Sequence, residues 1–166
     1  MVKSPTALIV AGLALSLPIC MGGCPRPEDA LEPNDTPETA TRLIEGMPVE
    51  PRTVQDNPDC FVIAAGPAQT LVFTFETLGE EDCNSFKVTG PDGATFYEDD
   101  NNYCGRIGDI PVVQPGGQLD LVGEDGYVLT IHAESAGDYV LTVHERGQAD
   151  NIFDYSWRYR LTATTK

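Results

Sequence analysis

From Phe153 to Leu161 the chain reads Phe-Asp-Tyr-Ser-Trp-Arg-Tyr-Arg-Leu, with an aromatic or aliphatic residue at every second position. Side chains of an extended strand alternate between two faces, so this pattern commits the segment to a strand that is dry on one side and wet on the other. The period recurs. Leu71, Phe73 and Phe75 share a face within Thr70–Phe75, as do Tyr127, Leu129 and Ile131, and again Tyr139, Leu141 and Val143. A helix bundle cannot bury faces of period two, whereas a second sheet can. Segments near Phe61, Leu71, Phe86, Phe96, Ile110, Leu119, Leu129, Leu141 and Trp157 give eight or nine short strands, and 16 glycines and 13 prolines supply turns between them. The predicted fold is all-β, an antiparallel, jelly-roll-like β-sandwich. One short helical turn is predicted ahead of the strands, capped by Asp35 or Thr36, with Pro37 at its first position, Glu38 at its positive end and Leu43 closing the segment.

Matching apolar faces also predicts pairings. Ser85–Thr89 and Ala94–Tyr97 form a hairpin around Pro91-Asp92-Gly93. Near the carboxyl end, pairing Leu129 with Leu141 and Ile131 with Tyr139 leaves Glu134-Ser135-Ala136 as a loop closed by Gly137, which takes a left-handed position. That register sets His132 opposite Asp138 and His144 opposite Gly126, roughly 20 Å apart and too far to share a metal.

Residues 1–23 open with Lys3, run apolar from Ala7 to Ile19 and hold no acid. That core is shorter than the ~20 residues a membrane-spanning helix needs, so it reads as an export signal. It ends in Met21-Gly22-Gly23-Cys24, which resembles the bacterial lipobox and marks Cys24 for lipidation, with residues 24–31 a short proline-bearing tether and 32–166 the folded domain. The whole chain carries 26 acidic against 10 basic residues, a formal charge of −16. Lipid rather than charge must therefore hold it to a membrane, at ~0.8 kcal/mol per buried methylene. Pro25, where an Asp would favour the inner membrane, directs the expectation to the outer membrane. A chain this acidic repels phosphate, and nucleic acid is excluded as a partner.

Of five cysteines, Cys20 leaves with the signal and Cys24 carries lipid, so Cys60, Cys83 and Cys104 remain. In an oxidising compartment one pair is expected, Cys83 with Cys104 around the predicted hairpin. Cys60, in Asp59-Cys60-Phe61-Val62-Ile63, reads as a small buried hydrophobe. No CxxC spacing supports zinc.

Catalytic signatures are missing: no Gly-x-Ser-x-Gly elbow, no His-Glu-x-x-His, no P-loop and no dinucleotide fingerprint. Both histidines read as exposed strand residues. Trp157, Tyr155 and Tyr159 share a strand face and belong to the core, with Arg158 and Arg160 outward among carboxylates. Calcium is the one cofactor expectation, since hard cations take six to eight oxygens and two stretches are rich in them, Glu32-Asn34-Asp35 and Glu98–Asn102. The competing assignments are Asp35 as a helix cap and Glu98–Asn102 as a solvated loop.

Glu32-Pro33-Asn34-Asp35-Thr36, then Ala40-Thr41, Leu43 and Gly46, then Asp59-Cys60-Phe61, Pro91-Asp92-Gly93, and Ala136-Gly137-Asp138-Tyr139 with Leu141 and Val143 resemble, in order and spacing, the bacterial pre-peptidase C-terminal domain family across Leu31–Thr165. Two departures stand out: Asp138 where that family has Thr, and Asn57-Pro58-Asp59-Cys60 where it has Asp-x-Asp-aromatic. The resemblance implies a β-sandwich that binds or assists rather than catalyses. It further implies calcium at the Glu-Pro-Asn region, with Asp59 as an additional ligand. The expected function is a non-enzymatic, lipid-anchored envelope module with a protein or glycan ligand. The alternatives are an accessory subunit or small hydrolase of the cell surface, or a purely structural lipoprotein.

Overall fold

The computed structural model describes residues 29–54, 57–78, 84–98, 112–114, 116–122, 126–145 and 156–166. Eleven strands run through them: β1 (Thr41–Arg42), β2 (Arg52–Val54), β3 (Asp59–Ala65), β4 (Thr70–Thr77), β5 (Asn84–Thr89), β6 (Thr95–Glu98), β7 (Val112–Gln114), β8 (Gly117–Leu121), β9 (Gly126–His132), β10 (Gly137–Glu145) and β11 (Ser156–Thr165). One sheet has the order β1-β3-β10-β5-β6 and the other β2-β11-β4-β9-β8-β7. The pairing of β1 with β3 is parallel and the other pairings are antiparallel.

Period-two alternation puts Phe61, Ile63, Phe86, Val88, Tyr139, Leu141 and Val143 on the inner face of the first sheet. Leu71, Phe73, Phe75, Leu129, Ile131, Trp157, Tyr159 and Leu161 come from the second, and all are buried. Burying such side chains stabilises by roughly 1.5–3 kcal/mol each. Trp157 stacks on Tyr159 with ring centroids 4.1 Å apart and meets Phe86 and Tyr127 edge-on at 6.1 and 6.2 Å. Both rings are core, as the alternation predicts. Arg160 points outward and bridges Glu50 and Glu76, each at 2.8 Å.

The predicted sandwich is present, and the β5–β6 hairpin turns through Gly90–Gly93, where the Gly93 N–H reaches the Gly90 carbonyl at 3.0 Å. The second predicted hairpin is wrong. β9 lies between β4 and β8, and β10 between β3 and β5, so the two consecutive strands belong to opposite sheets. Their matched apolar faces do meet, but across the core rather than edge to edge. His132 consequently stands opposite Thr70, and His144 opposite Ser85. The crossing runs through buried Ala133, which joins Gln69 and Ala68 by hydrogen bonds of 2.8 and 2.9 Å. It is braced where the Tyr139 hydroxyl donates to the Ser135 carbonyl at 3.0 Å. Gly137 has φ +148°, and a Cβ there would sit 2.5 Å from Pro91 Cγ, so conformation and space both demand glycine.

The predicted helical turn shrinks to one hydrogen-bonded turn, Thr36–Thr39, with no helix among the described residues. The Thr39 side chain accepts from the Thr36 N–H at 3.2 Å, which satisfies that donor without a helix following. The Ile110 segment, Tyr155, Cys24, and the proposed Cys83–Cys104 pair lie outside the described residues.

Candidate metal centre

Residues 29–40 form no strand yet are fastened to both sheets. The Arg52 N–H of β2 donates to Asp29 Oδ2, and the Cys60 N–H of β3 donates to the Asn34 carbonyl at 2.7 Å. Asp29 Oδ1 also accepts from the Leu31 N–H at 2.7 Å, and Leu31 packs against the core. Asn34 is fully buried, and its N–H donates to Glu32 Oε2 at 3.0 Å. With its amide nitrogen toward Glu32, it donates to both carboxylate oxygens at 3.3 and 3.1 Å. Turned over, the same amide presents its oxygen to the cluster.

β3 begins at Asp59, which by alternation shares the inner face with Phe61 and Ile63 and is fully buried at the end of the sandwich. Its Oδ2 accepts from the Thr53 hydroxyl of β2 at 2.5 Å and from the Tyr159 hydroxyl of β11 at 2.8 Å, so one carboxylate oxygen bridges the two sheets. Its Oδ1 is buried with no hydrogen-bond partner, and Asp35 Oδ1 is orphaned in the same way. Buried polar atoms are rarely left unpaired, since each costs about 1–3 kcal/mol, so two carboxylate oxygens in one cluster call for a counterpart.

The electrostatics agree. Burial pushes Asp59 up to about 6, the hydrogen bonds from Thr53 and Tyr159 oppose that, and the charges of Asp29 and Asp35 add to it. Glu32 is pushed up to about 7, first by burial, against the Asn34 N–H and with help from Asp35 and Asp59. The Tyr159 hydroxyl is also raised, by burial and then by Asp59. The charges named for both carboxylates are themselves carboxylates. Neutralising such a set takes protons or a cation.

The four residues expected to ligate calcium, Glu32, Asn34, Asp35 and Asp59, thus fall together. No three His, Cys, Asp or Glu side chains among the described residues converge as an assembled metal centre does. The donors are gathered but not closed on one point. The carboxylates are the oxygen-donor type a hard cation takes, and a divalent charge would offset their mutual repulsion, but as placed they do not assemble such a site. The sequence reading missed Asp29, Thr53 and Tyr159. Only the stacking of two sheets brings the Tyr159 hydroxyl to Asp59, 100 residues away in the chain.

Elsewhere, Glu98 pairs with Lys87 at 2.9 Å, and the rest of the second oxygen-rich stretch lies outside the described residues. His132 is exposed, with Nδ1 3.3 Å from the Thr70 hydroxyl, and His144 is half-buried. Cys60 is buried and free, its Sγ 3.7 Å from Thr142 Oγ1. On the outer face of the five-stranded sheet, Pro37, Ala64, Pro91, Gly137 and Val140 line an open groove of about 700 Å³.

No family model matches this chain. No curated protein matches it either. Among solved structures it is similar to the crystal structure of Aeromonas hydrophila PliG, a periplasmic lysozyme inhibitor of g-type lysozyme, at 14% identity and a TM-score of 0.47, over 76% of this chain and 97% of that one.

Proposed function

We propose that the chain is a non-enzymatic, lipid-anchored protein of the bacterial cell envelope, held at the outer membrane through Cys24, whose β-sandwich is a binding or accessory module stiffened by calcium at Glu32, Asn34, Asp35 and Asp59. The observation that carries the calcium reading is the Asp59 carboxylate, fully buried, with one oxygen spent on joining the sheets and the other unpartnered beside further carboxylates. The export signal and lipobox of the sequence support the location, and the lack of a catalytic signature supports a binding role. The residues behind the resemblance to pre-peptidase C-terminal domains also sit at structurally decisive places. Glu32–Asp35 and Asp59 form the cluster, Pro91-Asp92-Gly93 turns the β5–β6 hairpin, and Ala136–Tyr139 turns the chain from one sheet to the other.

The test is the unfolding midpoint in chelator, in millimolar calcium and in magnesium. Calcium at 100 times its dissociation constant adds ~2.7 kcal/mol, a rise of several degrees. An unmoved midpoint would return the acids to solvation and capping. A screen of glycans and peptides then addresses the ligand, with uniform silence favouring the structural alternative.

A further inference from the structure

Basic side chains in so acidic a chain should sit against carboxylates. Arg42 does so, gripping Asp138 through bonds of 3.1 and 2.6 Å, as do Lys87 with Glu98 at 2.9 Å and Arg160 with Glu50 and Glu76. Arg52 and Arg158 depart from that rule. Neither guanidinium forms an ion pair among the described residues, and the two stand directly opposite each other where β2 pairs with β11. Alternation turns both outward, because Thr53, Trp157 and Tyr159 beside them are buried. Directly opposed strand residues on one face have Cβ atoms ~4.5–5.5 Å apart, and like charges so placed repel. Arg158 is exposed, whereas Arg52 is half-buried, its Nε sealed from solvent without a hydrogen-bond partner. A buried donor left unmatched costs stability, so the pair calls for an anion. In the next row of the same face Glu50 and Glu76 are both spent on Arg160, and Asp29 gives its two oxygens to the N–H groups of Leu31 and Arg52, so no described carboxylate serves as that anion.

We propose that Arg52 and Arg158 are a phosphate-binding pair that seats the domain on the headgroups of anionic phospholipids. The seating rests on the lipid anchor at Cys24 put forward above, while the chemistry of the pair does not. Two planar guanidinia side by side offer parallel N–H donors to the oxygens of a phosphate, and the bound anion removes their mutual repulsion. The position of the pair selects the source of the phosphate. Asp29 accepts from the backbone N–H of Arg52 itself, so the amino-terminal segment joins the body at this arginine, and the five residues 24–28 span at most about 18 Å even when fully extended. A lipid on Cys24 therefore holds Arg52 and Arg158 close to the headgroup layer. The formal charge of −16 drives the rest of the surface from an anionic layer, so one cationic spot at the root of the tether fixes which side of the sandwich lies down.

Proton–nitrogen NMR of the arginine Nε–H groups tests this on the full chain. Inorganic phosphate in place of chloride should shift the Arg52 and Arg158 signals together and saturably, and leave those of Arg42 and Arg160 in place. Carried on nanodiscs, the chain should show the same two shifts when the discs contain phosphatidylglycerol and not when they are phosphatidylcholine alone, and added salt should weaken them. Arg158→Gln should weaken phosphate about tenfold or more, while its unfolding midpoint in chloride stays level or rises because a repulsion is gone. A midpoint that falls instead would mark Arg158 as a packing residue and overturn its role in binding. Shifts with inorganic phosphate but not with phosphatidylglycerol overturn the seating on lipid and leave an anion site, and shifts with neither overturn the pair. A full chain whose mass shows no lipid on Cys24 overturns the anchor, and the phosphate titration still decides the pair.

Discussion

Replacing Asp59 by Asn should raise stability in chelator and shrink the rise that calcium brings, so that the two chains come within a few degrees of each other in calcium. Asp59 is fully buried and its carboxyl is pushed from 3.8 to about 6. At ~1.36 kcal/mol per unit, keeping it ionised at neutral pH costs the folded state about 3 kcal/mol. Asparagine keeps an oxygen to accept from Thr53 and Tyr159, and it places an N–H₂ where the orphaned Oδ1 stands among carboxylates. For a domain of this size 1 kcal/mol moves the midpoint by roughly 2–4 °C, so the gain in chelator is about 6–12 °C. With calcium at 100 times its dissociation constant the parent recovers ~2.7 kcal/mol, and the variant, having lost a charged ligand, recovers less. The lone tryptophan, Trp157, is fully buried and stacked on Tyr159, and its fluorescence gives the assay. If Asp59→Asn lowers the midpoint equally in both buffers, Asp59 is merely a hydrogen-bond acceptor and the cation reading fails.

The same carboxyl sets the pH dependence in chelator. Because its folded pKa lies above the unfolded value, its contribution to stability should be fully present below about pH 4 and be lost as pH rises through about 6, by about 3 kcal/mol, with Glu32 extending the loss towards pH 7 and calcium flattening the slope. Denaturant midpoints between pH 4 and pH 7 measure it, and a profile that rises with pH would contradict the cluster. Gly137→Ala should cost about 1–3 kcal/mol, through its φ of +148° and the clash with Pro91, and urea unfolding would read it. Pro91→Ala should relieve part of that cost. Trp157→Ala should cost about 3–5 kcal/mol, enough to leave a poorly folded chain by circular dichroism, since four aromatic rings lie within 6.2 Å of it.

Alternation along Thr70–Phe75, Tyr127–Ile131 and Tyr139–Val143 foretold which side of each strand is buried, and burial follows it almost residue by residue. What alternation leaves open is the neighbour. Leu129 and Leu141 have complementary faces whether they lie side by side or stack across a core, and only the corner at Ala133 and Gly137 decides between the two. β1 and β2, two and three residues long, are too short to show a period. At the cluster, the acids were readable because oxygen-rich spacing and a family resemblance singled out Glu32, Asn34, Asp35 and Asp59. Thr53 and Tyr159 were not, because a strand threonine and a core tyrosine carry no local mark of the partner that folding brings to them.

The order of strands has a consequence for the birth of the molecule. β10 is the central member of its sheet, and β11 holds β2 to β4 in the other. Both follow the other described strands in the chain. Until residues 137–166 are available, β3 has no link to β5 and β4 lacks one of its two neighbours, so the earlier part of the chain owns the β5–β6 hairpin and the β4-β9-β8-β7 part of the second sheet but no closed core between them. A lone hairpin is marginal in water, and the four-stranded part leaves its apolar face without the opposing sheet. The core therefore closes only when β10 and β11 join, and the two halves of the sandwich come together in one late, cooperative step.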